Sequence, residues 1–99
     1  MSLALIAKQQ QPAINALYRL RKEVFKDGAL TEKEKSLMAV CVSCILKCDT
    51  CLETHAKHAK DLGATVDELR EAMLVAMYLT GPSAVIWSPL IDDILSQSP

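Results

Sequence analysis

Residues 31–55 read TEKEKSLMAVCVSCILKCDTCLETH, and this stretch decides the fold. It begins with Thr31 followed three residues later by Glu34, a capping box in which two side chains satisfy unpaired backbone N–H groups at a helix start. The helix predicted from there to about Leu46 carries apolar residues on most of its circumference, which is typical of a buried helix. We therefore expect it to be the central helix of the protein.

The stretches on either side of the central helix also follow helical spacing, and no segment alternates as a strand does. A second capping box, Thr65 with Glu68, predicts another helix start. Ser88-Pro89 either kinks the last segment or begins a new piece. The predicted fold is all-α, one domain over 1–99 of about five helices, which cover 12–25, 31–46, about 48–63, 65–80 and 83–95.

Composition favours an oligomer. The chain has only 99 residues, of which 51% are hydrophobic and 4% aromatic, so its core must be aliphatic. A chain of this length buries roughly 60–70% of its unfolded surface. So many apolar residues on so short a chain predict that some of them are buried against other subunits.

Charge and hydropathy exclude several classes of partner. Eleven Lys and Arg residues against twelve Asp and Glu give a net charge of −1 without a basic block, so we expect no nucleic-acid binding. Residues Met1–Ala7 lack the features of a signal peptide, and the apolar run Leu37–Leu46 is too short to span a membrane. We expect a cytoplasmic protein, in which a Cys-x-x-Cys pair indicates redox or metal chemistry rather than a disulfide framework.

The motif whose side chains can carry out chemistry is Cys48-x2-Cys51-x3-His55. If Cys48 lies at a helix start, Cys51 lies on the same side about 5–6 Å away, a separation that suits a disulfide. Unpaired amides and the positive end of the helix dipole favour the thiolate, which is the reactive form of cysteine. A neighbouring thiol can then resolve a sulfenic acid or a mixed disulfide within the chain.

His55 follows Cys51 by four residues, so both side chains lie on one helix face. An imidazole with a pKa near ~6.5 can accept the thiol proton and return it to a leaving group. We assign Cys51 as the His-activated thiol and Cys48 as its partner, although the spacing is also compatible with the reverse order.

Other interpretations of these residues are open. The cysteine pair and His55 could be ordinary core residues, as we expect Cys41 and Cys44 to be. A zinc site would draw all its ligands from one helix and its start, whereas tetrahedral sites usually use two elements. The ligands of that zinc site would be Cys48, Cys51, His55 and His58. Because they share one element, we expect no metal, and we expect His58 to be a surface or interface residue.

Several motifs between about Thr31 and Ala84 occur together in one known family. They are the acidic-lysine helix start, the run LMAVCVS over 37–43, the Cys48/Cys51/His55 motif, Gly63-Ala64-Thr65 with Glu68, and Gly81-Pro82. With these motifs the chain resembles the carboxymuconolactone decarboxylase / alkylhydroperoxidase AhpD-like family.

The resemblance implies a helical fold that assembles as homotrimers or homohexamers. The AhpD-type branch reduces peroxides with its cysteine pair and is re-reduced by a dithiol partner, such as a lipoyl group or a thioredoxin-like protein. The decarboxylase branch lacks that pair. The resemblance therefore implies a thiol-dependent peroxidase or disulfide reductase without a cofactor, with Cys48, Cys51 and His55 as its catalytic residues.

One departure from the family pattern bears on activity. AhpD-type members carry a glutamate twelve residues before the first cysteine, where this chain has Ser36. Glu32, one turn earlier on the same helix face, is the candidate replacement.

Two other functions are open: a lyase or isomerase acting on a small carboxylated metabolite, and a non-catalytic oligomeric helical or metal-binding module.

Overall fold

A computed structural model of the chain describes residues 2–96. This part of the chain is helical and contains no strand, so the predicted all-α class is confirmed. Five α-helices and one 3₁₀ turn follow in this order: α1 Ser2–Phe25, α2 Glu32–Leu46, α3 Asp49–Asp61, α4 Val66–Thr80, the 3₁₀ turn Pro82–Val85, and α5 Pro89–Leu95.

Helix α1 is longer than the sequence pattern predicts. The prediction begins at Pro12, but the helix starts at Ser2 and includes Pro12. Its backbone is non-helical at Gln10, with φ −127° and ψ 41°. Proline removes a backbone donor and its ring crowds the preceding turn, which explains a kink at this point. The predicted start therefore marks the kink near Pro12, and the helix itself starts ten residues earlier, at Ser2.

Both predicted capping boxes are present. The Thr31 hydroxyl accepts from the Glu34 N–H at 3.1 Å, and the Glu34 carboxylate accepts from the Thr31 N–H at 2.8 Å. Thr65 and Glu68 make the same two bonds at 3.1 and 2.9 Å. Bonds from the Thr31 and Thr65 backbone lower the pKa of the Glu34 and Glu68 carboxyls. These caps set where α2 and α4 begin.

Helix α2 lies at the centre and packs against both α3 and α4. Most of its residues are buried or half-buried, but one stripe that includes Met38, Val42 and Leu46 is exposed. The prediction that little of this helix is exposed therefore holds for most of its circumference but not for this stripe. The core that α2 shares with its neighbours consists of Val40, Cys44, Leu52, Ala56, Ala59, Leu69, Met73, Ala76, Ala84, Ile91 and Ile94.

Large apolar side chains are also exposed on α1 and α4. On α1, Ile14 is buried, but most of the residues whose spacing predicted the helix are exposed. Among the helices of residues 2–96, none combines the length and the hydrophobicity that a membrane span needs. The exposed side chains of α1 and α4 are Leu5, Ile6, Leu17, Tyr18, Leu20, Val24, Leu74, Val75, Tyr78 and Leu79.

The C-terminal segment is divided in two. Pro89 begins a new helix, α5, instead of kinking a continuous one, and Ser88 caps it by accepting from the Leu90 N–H at 3.2 Å. Before it, the Trp87 indole N–H donates to the Ala84 carbonyl at 2.7 Å. Ile91 and Ile94 of α5 are buried and complete the core.

Two leucines of α4 provide a matched test of this packing. Leu69 is fully buried, whereas Leu74 is 56% exposed. We expect Leu69→Ala to lower the free energy of unfolding by about 2–5 kcal/mol, because it removes buried methyl groups and leaves a cavity. Leu74→Ala should change the stability of the monomer by less than about 1 kcal/mol. Urea denaturation monitored by circular dichroism, at a protein concentration low enough to keep the chain monomeric, measures both; equal losses there would contradict the assigned core.

Candidate active site at the start of α3

A tight turn places the cysteine pair. Lys47 adopts the left-handed conformation, with φ 54° and ψ 48°, and its N–H donates to the Cys44 carbonyl at 3.2 Å. The Cys48 N–H donates to the Ser43 carbonyl, also at 3.2 Å. These bonds satisfy the last carbonyls of α2 in the manner of a Schellman motif. Because the turn is so short, Cys48 becomes the N-cap residue of α3.

Cys48 and Cys51 form a disulfide across the first turn of α3, with their Cα atoms 5.3 Å apart. The prediction that the two sulfurs can bond is therefore confirmed. The Cys51 backbone N–H donates to Cys48 Sγ at 3.2 Å, so the sulfur occupies the position of a capping oxygen. Both residues are half-buried, so the disulfide is partly exposed to solvent.

Asp49 is tied to another helix. Its carboxylate accepts a 2.6 Å hydrogen bond from the hydroxyl of Ser88, the N-cap residue of α5. This bond joins the start of the cysteine-bearing helix to the start of α5. It also gives the carboxylate beside Cys48 a donor of its own, and an acidic residue in the first turn suits the helix dipole.

His55 lies one turn after Cys51 and is half-buried. Its ring stacks on Phe25 of α1, with the centroids 5.5 Å apart and the planes inclined by 24°. Burial lowers the pKa of His55, and the positive charge of Arg21 and the neighbouring His58 lower it further. Nδ1 is buried and has no hydrogen-bond partner among residues 2–96. A neutral imidazole held in this way is suited to accept a proton.

His58 is placed differently from the prediction. It is not a simple surface residue, because its side chain is only 23% exposed and both ring nitrogens have partners. Nε2 lies 2.7 Å from a carboxylate oxygen of Glu32, and Nδ1 lies 3.4 Å from the hydroxyl of the fully buried Ser36. Glu32, the expected replacement for the family glutamate, therefore contacts His58.

The register of two antiparallel helices explains this pairing. Ser36 lies eleven residues before Lys47 and His58 eleven residues after it, so a tight turn at Lys47 brings them opposite each other. The single-helix reasoning used on the sequence considered only residues on one face of α3. The signal that pairs Ser36 with His58 is their equal distance from the gap between the predicted helices 31–46 and about 48–63.

The other two cysteines are not joined by a disulfide. Cys44 is fully buried in the core, and burial raises the pKa of its thiol to about 11. Cys41 is half-buried, packs against the same core and has a pKa raised by burial. The prediction as a core residue is confirmed for Cys44, whereas Cys41 lies at the edge of the core. Within residues 2–96, no group of three or more His, Cys, Asp and Glu side chains has the arrangement of a metal site.

Two open cavities lie beside these histidines. The smaller, about 500 Å³, is lined by Arg21 of α1 and by α3 residues that include Thr50 and Thr54. The larger, about 780 Å³, is lined mainly by α1 residues and by Glu32. The cavities share Arg21 and His58. Neither is lined by the cysteines or His55, but Thr50 is the residue next to Cys51.

Comparison with known proteins identifies relatives of the chain. The sequence model of the Carboxymuconolactone decarboxylase family matches residues 12–88. A Paracoccus denitrificans protein named uncharacterized protein 4 in the cox locus is 40% identical over 70 residues, which are 71% of this chain and 63% of that protein. The chain thus spans less than two thirds of the length of this relative.

Solved structures have the same fold. The apo form of a carboxymuconolactone decarboxylase family protein from Legionella pneumophila superposes with a TM-score of 0.84 and 26% identity, over 95% of this chain and 84% of that one. A family protein from Thermotoga maritima gives a TM-score of 0.79 and 24% identity, over 95% and 80% of the two chains. Because its identity is only 24%, the similarity to the Thermotoga maritima protein shows the fold alone.

The environment of His55 predicts how it titrates. Because its pKa is lowered in the folded protein, the folded state binds fewer protons than the unfolded state at pH values below the unfolded pKa of ~6.5. Stability should therefore fall as the pH decreases from ~6.5 through the folded pKa. We expect the His55 resonances to titrate at lower pH in the native protein than in urea, as measured by NMR. Identical titration midpoints would contradict the burial of this ring.

Proposed function

This chain belongs to the carboxymuconolactone decarboxylase family, and on that basis we propose that it is a thiol-dependent oxidoreductase that reduces peroxides or disulfides. Cys48 and Cys51 are its redox pair, and His55 is their proton acceptor and donor. The observation that supports the proposal is a disulfide at a helix start, one turn before a half-buried imidazole whose buried Nδ1 has no hydrogen-bond partner among residues 2–96.

With a hydroperoxide, the reaction starts from the dithiol. His55 accepts the proton of the Cys51 thiol, and the thiolate attacks the terminal peroxide oxygen, so that the O–O bond breaks. His55 returns the proton to the departing alkoxide, and an alcohol and a Cys51 sulfenic acid result. Cys48 then gives its thiol proton to His55, and its thiolate attacks the Cys51 sulfur. The S–O bond breaks, the departing hydroxide takes the proton from His55 and leaves as water, and the disulfide forms.

A dithiol reductant, such as a lipoyl group or a thioredoxin-like protein, completes the cycle. One of its thiolates attacks Cys51, and Cys48 leaves as a thiolate. The Cys51 N–H that donates to Cys48 Sγ stabilises this leaving group, as does the positive end of the helix dipole. The second thiol of the reductant then attacks the mixed disulfide and releases Cys51, while the reductant becomes a disulfide. The hydrogen bond to Cys48 Sγ thus favours the order in which Cys51, and not Cys48, reacts with the peroxide and with the reductant.

Cysteine variants test the proposal, with Cys41→Ser as the matched control. We expect Cys51→Ser and Cys48→Ser to abolish the turnover of cumene hydroperoxide with reduced lipoamide. His55→Gln should lower the rate about 10²-fold, the usual contribution of a proton-transfer group. Cys41→Ser should keep the parent rate, because Cys41 packs against the core and lies outside the motif. Turnover at the parent rate in both motif variants, measured by peroxide consumption, would refute the proposal.

We also propose that the chain acts as a homotrimer or homohexamer. The exposed apolar side chains of α4, and those of α1 other than Tyr18, support this, since so much exposed apolar surface favours a protein interface. The exposed stripe of α2 supports it as well, because a central helix with exposed Met38 and Val42 suits burial by another subunit.

Sedimentation velocity tests the assembly. We expect a mass three or six times the 10.9 kDa of one chain. Tyr78, at 87% exposed, lies on the apolar surface of α4, so Tyr78→Glu should shift the protein toward smaller species by placing a charge in the interface. A parent protein that sediments as a single chain at micromolar concentration would contradict the proposed assembly.

A further inference from the structure

The larger cavity is strongly basic on one side. It lies beside the second half of α1, and the side chains that line it carry four positive charges and one carboxylate. We call this cavity the basic groove. Its lining residues are Asn15, Tyr18, Arg19, Arg21, Lys22, Phe25, Lys26, Glu32 and His58.

Most of this positive charge is not compensated within the chain. The one carboxylate, Glu32, bonds to His58, and Lys26 pairs with Glu23 at 2.6 Å. Arg19, Arg21 and Lys22 have no acidic side chain within 4 Å among residues 2–96. A concave surface with three unpaired cations attracts anions.

The basic groove also has an aromatic wall. Tyr18 and Phe25 lie among its cations, and the Phe25 ring stacks on His55 and lies 5.9 Å from the His58 ring. Phe25 therefore belongs both to the wall of the groove and to the contact with His55. A ligand suited to this surface carries an anionic group and an apolar or aromatic body.

Arg21 connects this groove to the redox pair. It lines both cavities, and Thr50 lines the smaller one. Thr50 precedes Cys51, and its hydroxyl lies 3.6 Å from Cys48 Sγ. A ligand held at Arg21 can therefore extend along α3 toward the start of the helix.

We propose that the basic groove binds the carboxylate of an organic hydroperoxide with an aromatic or apolar body, and that Arg21 is its anchor. The hydroperoxide part of this statement rests on the proposed function, whereas the carboxylate part does not. A guanidinium presents paired N–H donors that match both oxygens of a carboxylate, and this makes Arg21 the best anchor in the groove.

Binding without chemistry tests the anchor. Isothermal titration calorimetry of the oxidised protein compares 4-phenylbutyrate with 4-phenylbutan-1-ol, which has the same body without the charge. We expect the acid to bind at least tenfold more tightly than the alcohol, and Arg21→Gln to remove this difference. Arg21→Lys, which keeps the charge but not the paired donors, should lose less. Circular dichroism establishes that each variant is folded.

Lys8→Gln is the matched control, because it removes one positive charge from an exposed position of α1 outside the groove. We expect it to leave binding of 4-phenylbutyrate unchanged. Equal affinity for acid and alcohol, no binding of either, or equal weakening by Lys8→Gln and Arg21→Gln would each overturn the proposal.

Substrate selectivity separates this proposal from the proposed function. The ratio of kcat/KM for the 4-carboxylate of cumene hydroperoxide to that for cumene hydroperoxide itself should fall about tenfold in Arg21→Gln. An unchanged ratio would overturn the assignment of the groove to the substrate. If neither hydroperoxide is reduced while 4-phenylbutyrate binds through Arg21, the proposed function fails and the carboxylate site stands.

Discussion

The left-handed turn at Lys47 is the constraint on which the site depends. A non-glycine residue in this conformation costs about 1–2 kcal/mol, and here the bonds to the Ser43 and Cys44 carbonyls offset that cost. Because the turn is so tight, α2 and α3 must run antiparallel side by side. Cys48 is thereby held at the N-terminus of a helix whose core-facing residues, among them Leu52 and Ala56, are anchored on α2.

Two histidines on one face of α3 differ in their electrostatic environment. Both rings pack near Phe25. His58 has a carboxylate on one nitrogen and a hydroxyl near the other, and it therefore joins α3 to the first half of α2. His55 has a buried nitrogen without a partner, and its pKa is lowered by burial and by positive charge. This difference is why the proposed function gives the proton transfer to His55 and not to His58.

The chemistry at the start of α3 and the surface of α1 are physically linked. Phe25 supports His55 from the inside and lines the basic groove on the outside, and Arg21 both lines the groove and lowers the pKa of His55. An anion bound at Arg21 would offset part of this lowering, because an opposite charge nearby favours the protonated imidazole. Few core residues hold α1 itself: from residue 4 to its end, Ile14 is its one buried apolar side chain.

Local pattern was sufficient for much of this protein. The two capping boxes, the order of the helices and the pairing of Cys48 with Cys51 follow from interactions within three or four residues, which repeat in any helix of the same sequence. Such interactions depend on sequence spacing alone, and the spacing is visible without a structure. The continuation of α1 before Pro12 could not be predicted in this way, because proline fits a helix start as well as a kink.

The contacts between helices required the tertiary structure. The sequence alone determined a helical chain with two cysteines and an imidazole on one helix face. Only the packing of α3 against α1 and α2 decided that Glu32 and Ser36 bind His58, that Phe25 stacks on His55 and that Arg21 lies close enough to alter its pKa. The physical reason is that such contacts join residues more than twenty positions apart, and their partners depend on how whole helices are oriented.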